Sequence, residues 1–413
     1  DEDILDLPRL LKGLPKWQIA LRLGAVKYLP GGWLPRLFSL PQSGDNEEAL
    51  VLFTSGSVGE PRGVVLSHRN ILAQRYQIDH CGILPPDARA LANLPVFHSF
   101  GLTVTVWYAL FARVPLVTVP SPLDIKKNLE VIEREGVTVM LGTPTFYRPY
   151  LRKASPEQMR SVRWVIAGAE KTPEGFHDEW EERFPQCRYL EGYGLTETAP
   201  AVAVNLPHRP PHPPSGSNVV EKEGARGTRR GTVGRLFAGV SGRIRHMDTG
   251  ELLGVGEQGV LELAGPSIFS GYLDDEKETG KAFSGDGWFI TKDLARLDEE
   301  GFVTIEGRIS RFSKIGGEMV PHGTVEEAIV DALGLEREDG PVIAVTAKPD
   351  PQKGEALVLL TTVPVDRDEL RKKLTGAGYP NLWMPREIKE VDEIPVLASG
   401  KLDLKRVRAE AGN

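Results

Sequence analysis

The feature that most constrains the fold is an alternation of short apolar runs and helix-like segments between residues 50 and 190. One helix is predicted from Ser67 through about His80 and another from Asp124, because Ser and Asp are favoured N-cap residues. A third helix is predicted to start at the Ser155–Pro156 pair, which has N-cap and N1 chemistry. The strands are predicted in the runs "ALVLF", "RALANL", "PLVTV", "VTVML" and "RWVI". This order predicts an α/β domain with a largely parallel sheet, whose ligands bind beyond the carboxyl ends of the strands.

The composition is that of an ordinary globular protein, and it narrows the function. At 413 residues the chain has room for two or more domains, and its formal net charge of −7 argues against a general nucleic-acid binder. Cys81 and Cys187 are its two cysteines, which predicts a cytoplasmic, reducing location without a disulfide framework. Residues 101–119 are apolar, but Arg113 and Pro115 interrupt them. A buried helix followed by a buried strand is therefore predicted there, rather than a membrane span.

The segment from Leu7 to Phe38 differs from the rest of the chain because it is basic, has no acidic residue and carries Trp17 and Trp33. Such a segment favours two interpretations, a peripheral membrane contact and a surface helix that packs its leucines on the domain body. Both stay open. Because the chain starts with Asp1 rather than Met, we expect its natural start to lie upstream.

Changes in composition along the chain predict its domain organisation. A Pro-rich stretch occupies residues 206–218, and many short β-like runs with Gly turns follow from 232 to 305, which predicts a smaller β-rich subdomain. The pattern changes again near Ser310. The predicted parts are a basic N-terminal segment at 1–48, a large domain at 49–309 and a smaller C-terminal domain of α and β elements at 310–413.

The stretch "FTSGSVGEPRGVVLSHRN", residues 53–70, predicts a phosphate-binding loop. Backbone N–H groups in a Gly/Ser turn form a concave anion site, and the hydroxyls of Thr54, Ser55 and Ser57 add donors. Arg62 adds a positive charge. The stretch lacks the G-x-x-x-x-G-K-S/T spacing of the common NTPase loop, so a different phosphate chemistry is predicted.

Four further stretches carry candidate site residues. In "YLEGYGLTETAP", Tyr193 can stack on a base, Thr196 can bind a phosphate and Glu197 can hold Mg²⁺. Asp293, in "GWFITKDLA", is suited to binding ribose hydroxyls. The other two stretches contribute the cationic residues Arg308 and Lys401. A mobile lysine that reaches a phosphate and a carboxylate would stabilise the charge that develops during group transfer.

In order and spacing, these five stretches resemble the adenylate-forming ligase superfamily of acyl synthetases, luciferases and adenylation domains. The resemblance implies the α/β fold of that superfamily and a two-step reaction with ATP and Mg²⁺ as cofactors. A carboxylate and ATP would form an acyl-adenylate and pyrophosphate. A thiol would then take the acyl group and release AMP.

The resemblance also implies a role for each candidate residue by its position. The residues that would grip the β- and γ-phosphates are Thr54, Ser55, Gly56, Ser57, Gly59, Arg62 and Gly63. Those that would bind the adenosine part are Gly168, Ala169, Glu170, Glu191, Tyr193, Asp293 and Arg308. Those that would act at the α-phosphate, the metal and the carboxylate are Thr196, Glu197, Thr54, Lys401 and His98. Among these, Glu197 and Thr54 would contact the metal, and His98 would gate the carboxylate pocket. Arg311 takes the hinge position of the mobile domain.

The chain departs from the superfamily's pattern at Arg311, where Asp or Lys is commoner, and in three further places. Val58 and Arg62 stand where Thr and Lys are usual, although Arg keeps the charge and can form two hydrogen bonds. Lys292, in "TKD", stands where Gly is usual, and only about fifty residues precede the glycine loop. We expect an active enzyme with a truncated large domain. A nucleotide-binding or regulatory module without turnover stays open as an alternative of another class.

Several stretches, among them "LPVFHSFGLTV" and "KIGGEMVPHGTVE", resemble the synthetase half of bifunctional acyl–acyl-carrier-protein synthetase/2-acylglycerophosphoethanolamine acyltransferase. This resemblance implies a fatty acid substrate, acyl carrier protein as partner, and lysophospholipid acylation at the cytoplasmic face of a bacterial inner membrane within a larger protein. A fatty acyl-CoA ligase is the alternative. None of the eight histidines starts the H-x-x-x-x-D pair of an acyltransferase, so that activity would lie upstream. A basic docking face for the acidic carrier protein is expected at Arg226, Arg229, Arg230, Lys372 and Lys373.

Overall fold

The computed structural model describes residues 15–40, 44–54, 61–207, 227–335, 341–396 and 402–412. Its strands are β1 (Glu48–Thr54), β2 (Arg62–Ser67), β3 (Ala90–Ala92), β4 (Leu116–Thr118), β5 (Val139–Gly142), β6 (Trp164–Ala167), β7 (Arg188–Gly194), β8 (Ala201–Val204), β9 (Arg235–Leu236), β10 (Ser241–Arg245), β11 (Gly259–Ala264), β12 (Gly271–Tyr272), β13 (Phe289–Leu297), β14 (Val303–Arg308), β15 (Phe312–Ile315), β16 (Glu318–Pro321), β17 (Ile343–Asp350), β18 (Gly354–Thr361) and β19 (Glu387–Glu390).

The helices separate these strands. The α-helices are α1 (Lys16–Tyr28), α2 (Leu34–Leu37), α3 (His68–Cys81), α4 (Ala109–Ala112), α5 (Ile125–Glu135), α6 (Pro144–Lys153), α7 (Phe176–Arg183), α8 (Glu276–Ala282), α9 (His322–Leu333), α10 (Arg367–Gly376) and α11 (Leu404–Glu410). A π-helix spans Phe100–Tyr108, and 3₁₀ turns occur at Gly31–Trp33, Thr196–Thr198, Ile309–Arg311 and Asn381–Trp383.

A seven-stranded sheet with the order β4-β3-β5-β6-β7-β8-β9 forms the centre of the protein. Strands β3 to β7 pair in parallel, whereas β8 and β9 pair antiparallel. Val165 and its register partner Met140 pack into one apolar cluster, and Val139 packs into another. Because both faces are covered, the strands read as continuous apolar runs, as parallel sheets require. The predicted α/β fold is confirmed.

Helices α5, α6 and α7 build the largest apolar cluster against this sheet. Helix α5 begins where Asp124 Oδ1 accepts a hydrogen bond from Lys127 N at 3.0 Å, as predicted from the N-cap rule. Trp180 is fully buried, and its ring lies 5.6 Å from that of Tyr147. Truncating a buried Trp to Ala costs about 3–5 kcal/mol, so Trp180 is a principal stabilising residue of this half of the protein.

The antiparallel strands that follow residue 232 confirm the predicted β-rich region. Strands β10, β11, β13 and β14 form one sheet, while β12 joins β1 and β2 in a second sheet. The buried carboxylate of Glu262 accepts hydrogen bonds from Arg243 Nε at 2.6 Å and from Arg245 Nε at 2.9 Å. A buried charge needs such partners, because an unpaired carboxylate would be expensive to desolvate.

The residues from Phe312 onward build a further sheet with the order β16-β15-β18-β17, and β19 pairs in parallel with β18. Val345 and Leu359 pack on one face with Ile329 of α9, and Val358 packs on the other face with Val407 of α11. Helix α10 follows β18 and adds Leu370 and Leu374 to the first of these clusters. The domain division near Ser310 stays a prediction.

Two local predictions need correction. Ser155 Oγ accepts from Gln158 N at 3.3 Å as a helix cap would, but residues 155–162 form turns rather than a helix. Arg160 N donates to Glu157 O and Val162 N donates to Met159 O, so these backbone bonds span three residues and close turns instead of continuing a helix. The apolar run 101–119 does form a helix and then a strand, but neither is fully buried: Leu110 is 61% exposed, and no residue of β4 is buried.

The basic N-terminal segment does not pack its leucines on the domain body within the described residues 15–40. Helix α1 has no buried residue, and Trp17 and Leu21 are both 66% exposed. The reason is that its apolar residues surround the helix instead of forming one stripe, which leaves no single face to bury. Within the parts of the chain that the structure describes, no helix is long and apolar enough to span a membrane. The membrane contact stays a prediction.

Candidate nucleotide site

The carboxyl ends of β6 and β7 and the start of the π-helix meet at one edge of the central sheet. Gly168 follows β6, and its N–H donates to Gly142 O at 3.0 Å. A Cβ on Gly168 would lie 3.4 Å from Gly192 O and 3.9 Å from Phe100 Cε1, so these segments are close neighbours. Ala169 has a φ of +67°, a left-handed conformation that costs a non-glycine residue roughly 1–2 kcal/mol. Gly168 and Ala169 thus lie at the edge where parallel sheets bind ligands.

Two carboxylates predicted for the adenine side are held by partners that the sequence did not reveal. Glu170 Oε2 accepts from Thr145 Oγ1 at 2.7 Å and from Thr145 N at 3.2 Å, in the first turn of α6. Glu191 Oε2 lies 3.2 Å from His177 Nε2, and both side chains are 13% exposed. His177 Nδ1 is buried without a partner among the described residues. Sequence reasoning missed His177 because nothing in the local pattern of α7 marks it.

Three predicted residues form one contiguous group on the ribose side. Tyr193 Oη donates to Asp293 Oδ2 at 2.5 Å, and Arg308 Nε lies 3.0 Å from Asp293 Oδ1. Burial and the adjacent Asp293 carboxylate raise the pKa of the Tyr193 phenol well above its usual value. The same carboxylate raises the pKa of Arg308. Asp293 is 2% exposed, so it is a buried carboxylate with a phenol donor on one oxygen and a guanidinium on the other.

A β-bulge directs Asp293 into this group. The register of β11 against β13 shifts between Val260 and Glu262, and on the facing strand Lys292 has a φ of +61°. Thr291 Oγ1 donates to Leu261 O at 2.8 Å and accepts from Asp293 N at 3.0 Å. Bulges re-aim side chains next to functional sites. Glycine adopts this conformation freely, whereas a residue with a Cβ is strained in it. Lys292, which stands where glycine is usual, therefore keeps the bulge at the cost of backbone strain.

Thr196 and His98 lie where β7 and the π-helix approach each other. Thr196 Oγ1 lies 3.3 Å from Ser99 Oγ. His98 is half-buried, and its Nδ1 accepts from Phe100 N at 3.3 Å. A Cβ on Gly101 would lie only 2.2 Å from Pro95 O, so this tight entry into the π-helix requires glycine. Ser99, next to His98 in the sequence, is a second neighbour that sequence reasoning missed.

Glu197, the predicted metal ligand, is held at both its backbone and its side chain by residues 269–272. Its backbone O accepts from Phe269 N at 2.9 Å, and its Oε1 accepts from Tyr272 Oη at 3.0 Å. Burial and the Glu197 charge raise the pKa of Tyr272 above its usual value, which keeps the phenol a neutral donor. Tyr272 was not among the predicted site residues.

On the phosphate side, the structure describes only the two ends of the glycine loop. Thr54 closes β1 and is the register partner of Arg62, which opens β2. Arg62 Nη2 lies 2.7 Å from Glu278 Oε2, and its guanidinium carbon lies 5.6 Å from the centre of the Tyr272 ring. Its positive charge is thus engaged with α8. A Cβ on Gly63 would lie 2.9 Å from a Val51 methyl, which gives Gly63 a packing role. The predicted residues outside the described parts are Ser55, Gly56, Ser57 and Gly59, together with Val58.

The donor set at Glu197 fits Mg²⁺ bound together with a nucleotide. In the described parts of the chain, no group of three or more His, Cys, Asp or Glu residues could hold a metal by itself. Mg²⁺ commonly takes one or two carboxylates and fills its remaining positions with phosphate oxygens and water. A single carboxylate beside a phosphate site is therefore sufficient. Thr54, at the end of β1, is available as a further oxygen donor.

Of the two residues predicted to act with the C-terminal part, the structure describes Arg311 but not Lys401. Lys401 lies outside the described residues, between Val396 and Leu402, which form an isolated antiparallel bridge. Arg311, at the predicted hinge, bonds within the C-terminal part: its Nη2 lies 2.6 Å from Glu326 Oε2, and its Nη1 donates to Val345 O at 3.2 Å. The hinge role stays a prediction.

The fold and this arrangement of residues define a class of protein. The sequence model of the AMP-binding enzyme family matches residues 21–273, and the chain belongs to this family. The predicted place in the adenylate-forming ligase superfamily is confirmed.

The chain is similar to several individual proteins of known activity or structure. The chain is 29% identical to feruloyl-CoA synthase of an Amycolatopsis species over 95% of this chain and 76% of the relative. It is 27% identical to a long-chain-fatty-acid–CoA ligase of Bacillus subtilis over 91% of this chain and 64% of the relative. ATP-bound MatB from Rhodopseudomonas palustris superposes with a TM-score of 0.74 at 29% identity, over 89% of this chain and 69% of MatB.

A structure of MenE from Bacillus subtilis with ATP and magnesium has the same fold, with a TM-score of 0.74 at 23% identity over 88% of this chain and 70% of MenE. The predicted cofactors, ATP and Mg²⁺, agree with the ligands of these structures. The chain spans between 64% and 76% of the length of the two curated relatives named above.

Proposed function

We propose that the chain activates a carboxylic acid with ATP and transfers the acyl group to a thiol. The observation that carries the proposal is the buried Asp293, held between Tyr193 and Arg308 beside the Glu197–Tyr272 pair. Ribose hydroxyls need a fixed acceptor, and a metal needs a nearby carboxylate. The two requirements are met side by side, at the sheet edge where α/β proteins bind nucleotides.

The residues of this chain would hold the nucleotide and the metal as follows. Asp293 would accept from the ribose hydroxyls, and Arg308 would hold its carboxylate in place. Glu197 would hold Mg²⁺, and the hydroxyl of Thr196 would contact a phosphate oxygen. When bound, ATP supplies the adenylyl group that activates the carboxylate, and Mg²⁺ neutralises charge on the phosphates.

The adenine would lie against Gly168 and Ala169. The absence of a side chain at Gly168 leaves space beside Gly192 O. Glu191, held by His177, presents a carboxylate acceptor at the end of β7, which suits the exocyclic amino group of adenine. Guanine carries an acceptor at the equivalent position, so a carboxylate there would disfavour it.

We propose three parts for the chain: residues 1–48 as the N-terminal segment, 49–309 as the nucleotide-binding domain and 310–413 as a mobile C-terminal domain. Lys401 would act from the third part on the carboxylate and the α-phosphate, where a fixed cation stabilises developing charge. The separate apolar clusters after residue 312 support this division. Arg311 lies where the second part meets the third.

The proposed substrate is a fatty acid, and two thiol acceptors have support. The names of the relatives, which include a fatty-acid–CoA ligase and a feruloyl-CoA synthase, favour CoA. The stretches that resemble carrier-protein synthetases favour acyl carrier protein, with products for lysophospholipid acylation at the inner membrane. Two ion-paired arginines argue against a basic docking face. Arg229 is paired with Asp298 and Glu300. Arg230 is likewise ion-paired, with Asp178 and Glu181.

The test of the first step is carboxylate-dependent exchange of labelled pyrophosphate into ATP by the full chain. Palmitate, ferulate and malonate would be compared, because they represent long apolar, aromatic and short charged acids. We expect exchange that requires Mg²⁺ and is fastest with palmitate. ATP binding without exchange for any acid would instead support the nucleotide-binding module without turnover.

The test of the acceptor is the yield of acyl thioester from palmitate with CoA and with holo acyl carrier protein at equal thiol concentration. A product with carrier protein alone assigns the carrier-protein ligase, and a product with CoA alone assigns the CoA ligase. Apo carrier protein, which lacks the thiol, is the matched control.

A further inference from the structure

Tyr272 is attached to the strand that leaves the glycine loop. It lies in β12, which pairs antiparallel with β2 through Tyr272 and Val64. Tyr272 N donates to Thr279 Oγ1 at 2.8 Å, and the next residue, Leu273, donates from its N to Gly63 O at 2.8 Å. The backbone around Tyr272 is therefore fixed on both sides, which limits where its phenol can point.

The side chain of Tyr272 is fixed as well. Its ring packs edge-on against Phe269, with ring centres 5.0 Å apart, and the Arg62 guanidinium carbon lies 5.6 Å from its centre. Arg62 is in turn held by Glu278 at 2.7 Å. A phenol confined in this way has little rotamer entropy left to lose, so its hydroxyl is pre-organised to donate in one direction.

The Tyr272 hydroxyl donates to Glu197 Oε1 at 3.0 Å. Among the described residues, the hydrogen bond to this carboxylate is on Oε1, which leaves Oε2 for another ligand. The backbone of Glu197 is anchored by Phe269 N at 2.9 Å, so one short segment sets both the position and the rotation of the carboxylate. Groups that hydrogen-bond a metal-ligating carboxylate orient it and tune its affinity for the metal.

We propose that Tyr272 is a positioning residue for the metal-binding carboxylate of this enzyme: its hydroxyl occupies Glu197 Oε1 and presents Oε2 to Mg²⁺. The inference rests on the proposed function, because it assigns Mg²⁺ to Glu197. It adds Tyr272, which is 75 residues from Glu197 in the sequence, to the residues of the metal site. It predicts that loss of the Tyr272 hydroxyl weakens Mg²⁺ binding and leaves metal-free ATP binding unchanged.

The experiment uses Tyr272→Phe in the full chain, which removes the hydroxyl and keeps the ring against Phe269 and Arg62. We expect the Mg²⁺ concentration for half-maximal pyrophosphate exchange to rise about tenfold, as is typical when a group that orients a metal ligand is lost. A second readout needs no turnover. The rise in melting temperature with ATP in EDTA should match wild type, whereas the extra rise on adding Mg²⁺ should shrink.

Tyr108→Phe is the matched control. Tyr108 Oη also donates to a carboxylate, Asp79 Oδ1 at 2.8 Å, but this pair joins the π-helix to α3. We expect Tyr108→Phe to leave the Mg²⁺ dependence unchanged. A double variant with Glu197→Gln completes the test: once Glu197 has lost its charge, Tyr272→Phe should add less than a further twofold change.

Two outcomes would overturn the inference. An unchanged Mg²⁺ dependence in Tyr272→Phe, with exchange present in the wild type, removes the positioning role and leaves the proposed function intact. Loss of metal-free ATP binding in Tyr272→Phe, beyond any loss in Tyr108→Phe, shows a general packing role instead. A wild-type chain that neither binds ATP nor exchanges pyrophosphate removes the proposed function itself.

Discussion

The two ends of the candidate site differ in how their charges are satisfied. At the ribose end, Asp293 is paired with Arg308 and Tyr193, which are residues of the site itself. At the phosphate end, Arg62 is paired with Glu278 of α8. Under the proposed function, the ribose end is therefore already arranged for its ligand, whereas Arg62 at the phosphate end would have to exchange a carboxylate for a phosphate.

This difference shows why a match of residue type does not by itself assign a role. Asp293 is held in one orientation by Tyr193 and Arg308. Arg62 has the charge that a phosphate site needs, but its nearest partner is an anion of the protein. Variants at each end should therefore affect ATP binding, AMP binding and pyrophosphate exchange differently.

The largest effect is expected for Lys401→Ala, which removes a cation proposed to act on the phosphate end during transfer only. We expect pyrophosphate exchange to fall by roughly 10²–10³-fold, the typical loss when a group that stabilises developing charge is removed. ATP affinity by calorimetry should change less than threefold, because the ribose end remains intact. Exchange at the wild-type rate would show that Lys401 has another role.

At the ribose end, Asp293→Asn should lower ATP affinity by roughly 10- to 100-fold, because hydrogen bonds to a charged group contribute about 1.5–3 kcal/mol. AMP affinity should fall equally, since AMP carries the same ribose. Calorimetry with each nucleotide in EDTA measures both. Asp350→Asn is the matched control: Asp350 is also a buried carboxylate paired with an arginine, Arg386, but lies in β17. Equal losses in the two variants would contradict a ribose-binding role.

At the phosphate end, Glu278→Gln should strengthen ATP binding by up to about fivefold, because it releases Arg62 from a partly exposed ion pair of about 0–1 kcal/mol. AMP binding should not change, since AMP lacks the β- and γ-phosphates. The ratio of the two affinities is the measurement. A weaker affinity for ATP would show that the Arg62–Glu278 pair positions the loop instead of competing with phosphate.

The smallest effect is expected at the bulge that aims Asp293. Lys292→Gly should stabilise the protein by roughly 0.5–1 kcal/mol, because relief of the left-handed strain exceeds the entropy cost of glycine. Lys292→Ala retains a Cβ and should give no gain. Denaturant unfolding of the three proteins measures the difference. Equal stability of the Gly and Ala variants would show that the bulge does not strain Lys292.

Much of the fold could be predicted because its signals are local. The N-caps at Ser67 and Asp124 both start helices, and the apolar runs between them become strands β3 and β4. The prediction failed at Ser155, where the capping bond forms but the backbone hydrogen bonds from Arg160 N and Val162 N span three residues and close turns. Of the two interpretations left open for the basic N-terminal segment, packing of α1 on the domain body is not seen, because its apolar residues have no single face.

The candidate site was predictable only in part, because its partners are distant in sequence. The motif around Tyr193 and Glu197 is contiguous, so the pattern reveals it. Tyr272 is 75 residues from Glu197, and His177 approaches Glu191 from a different element. No spacing rule connects such pairs, since packing of separate segments brings them together.

The sequence by itself determined the class of fold, the family and the order of the candidate residues, because strand and helix periodicity and short motifs are properties of neighbouring residues. The tertiary structure alone decided which carboxylate faces which partner. Asp293 is turned by a bulge toward Tyr193 and Arg308, Glu197 is held by Tyr272, and Arg62 is drawn to Glu278. These pairings depend on distances of about three ångströms between segments far apart in the chain, which packing sets and local sequence does not.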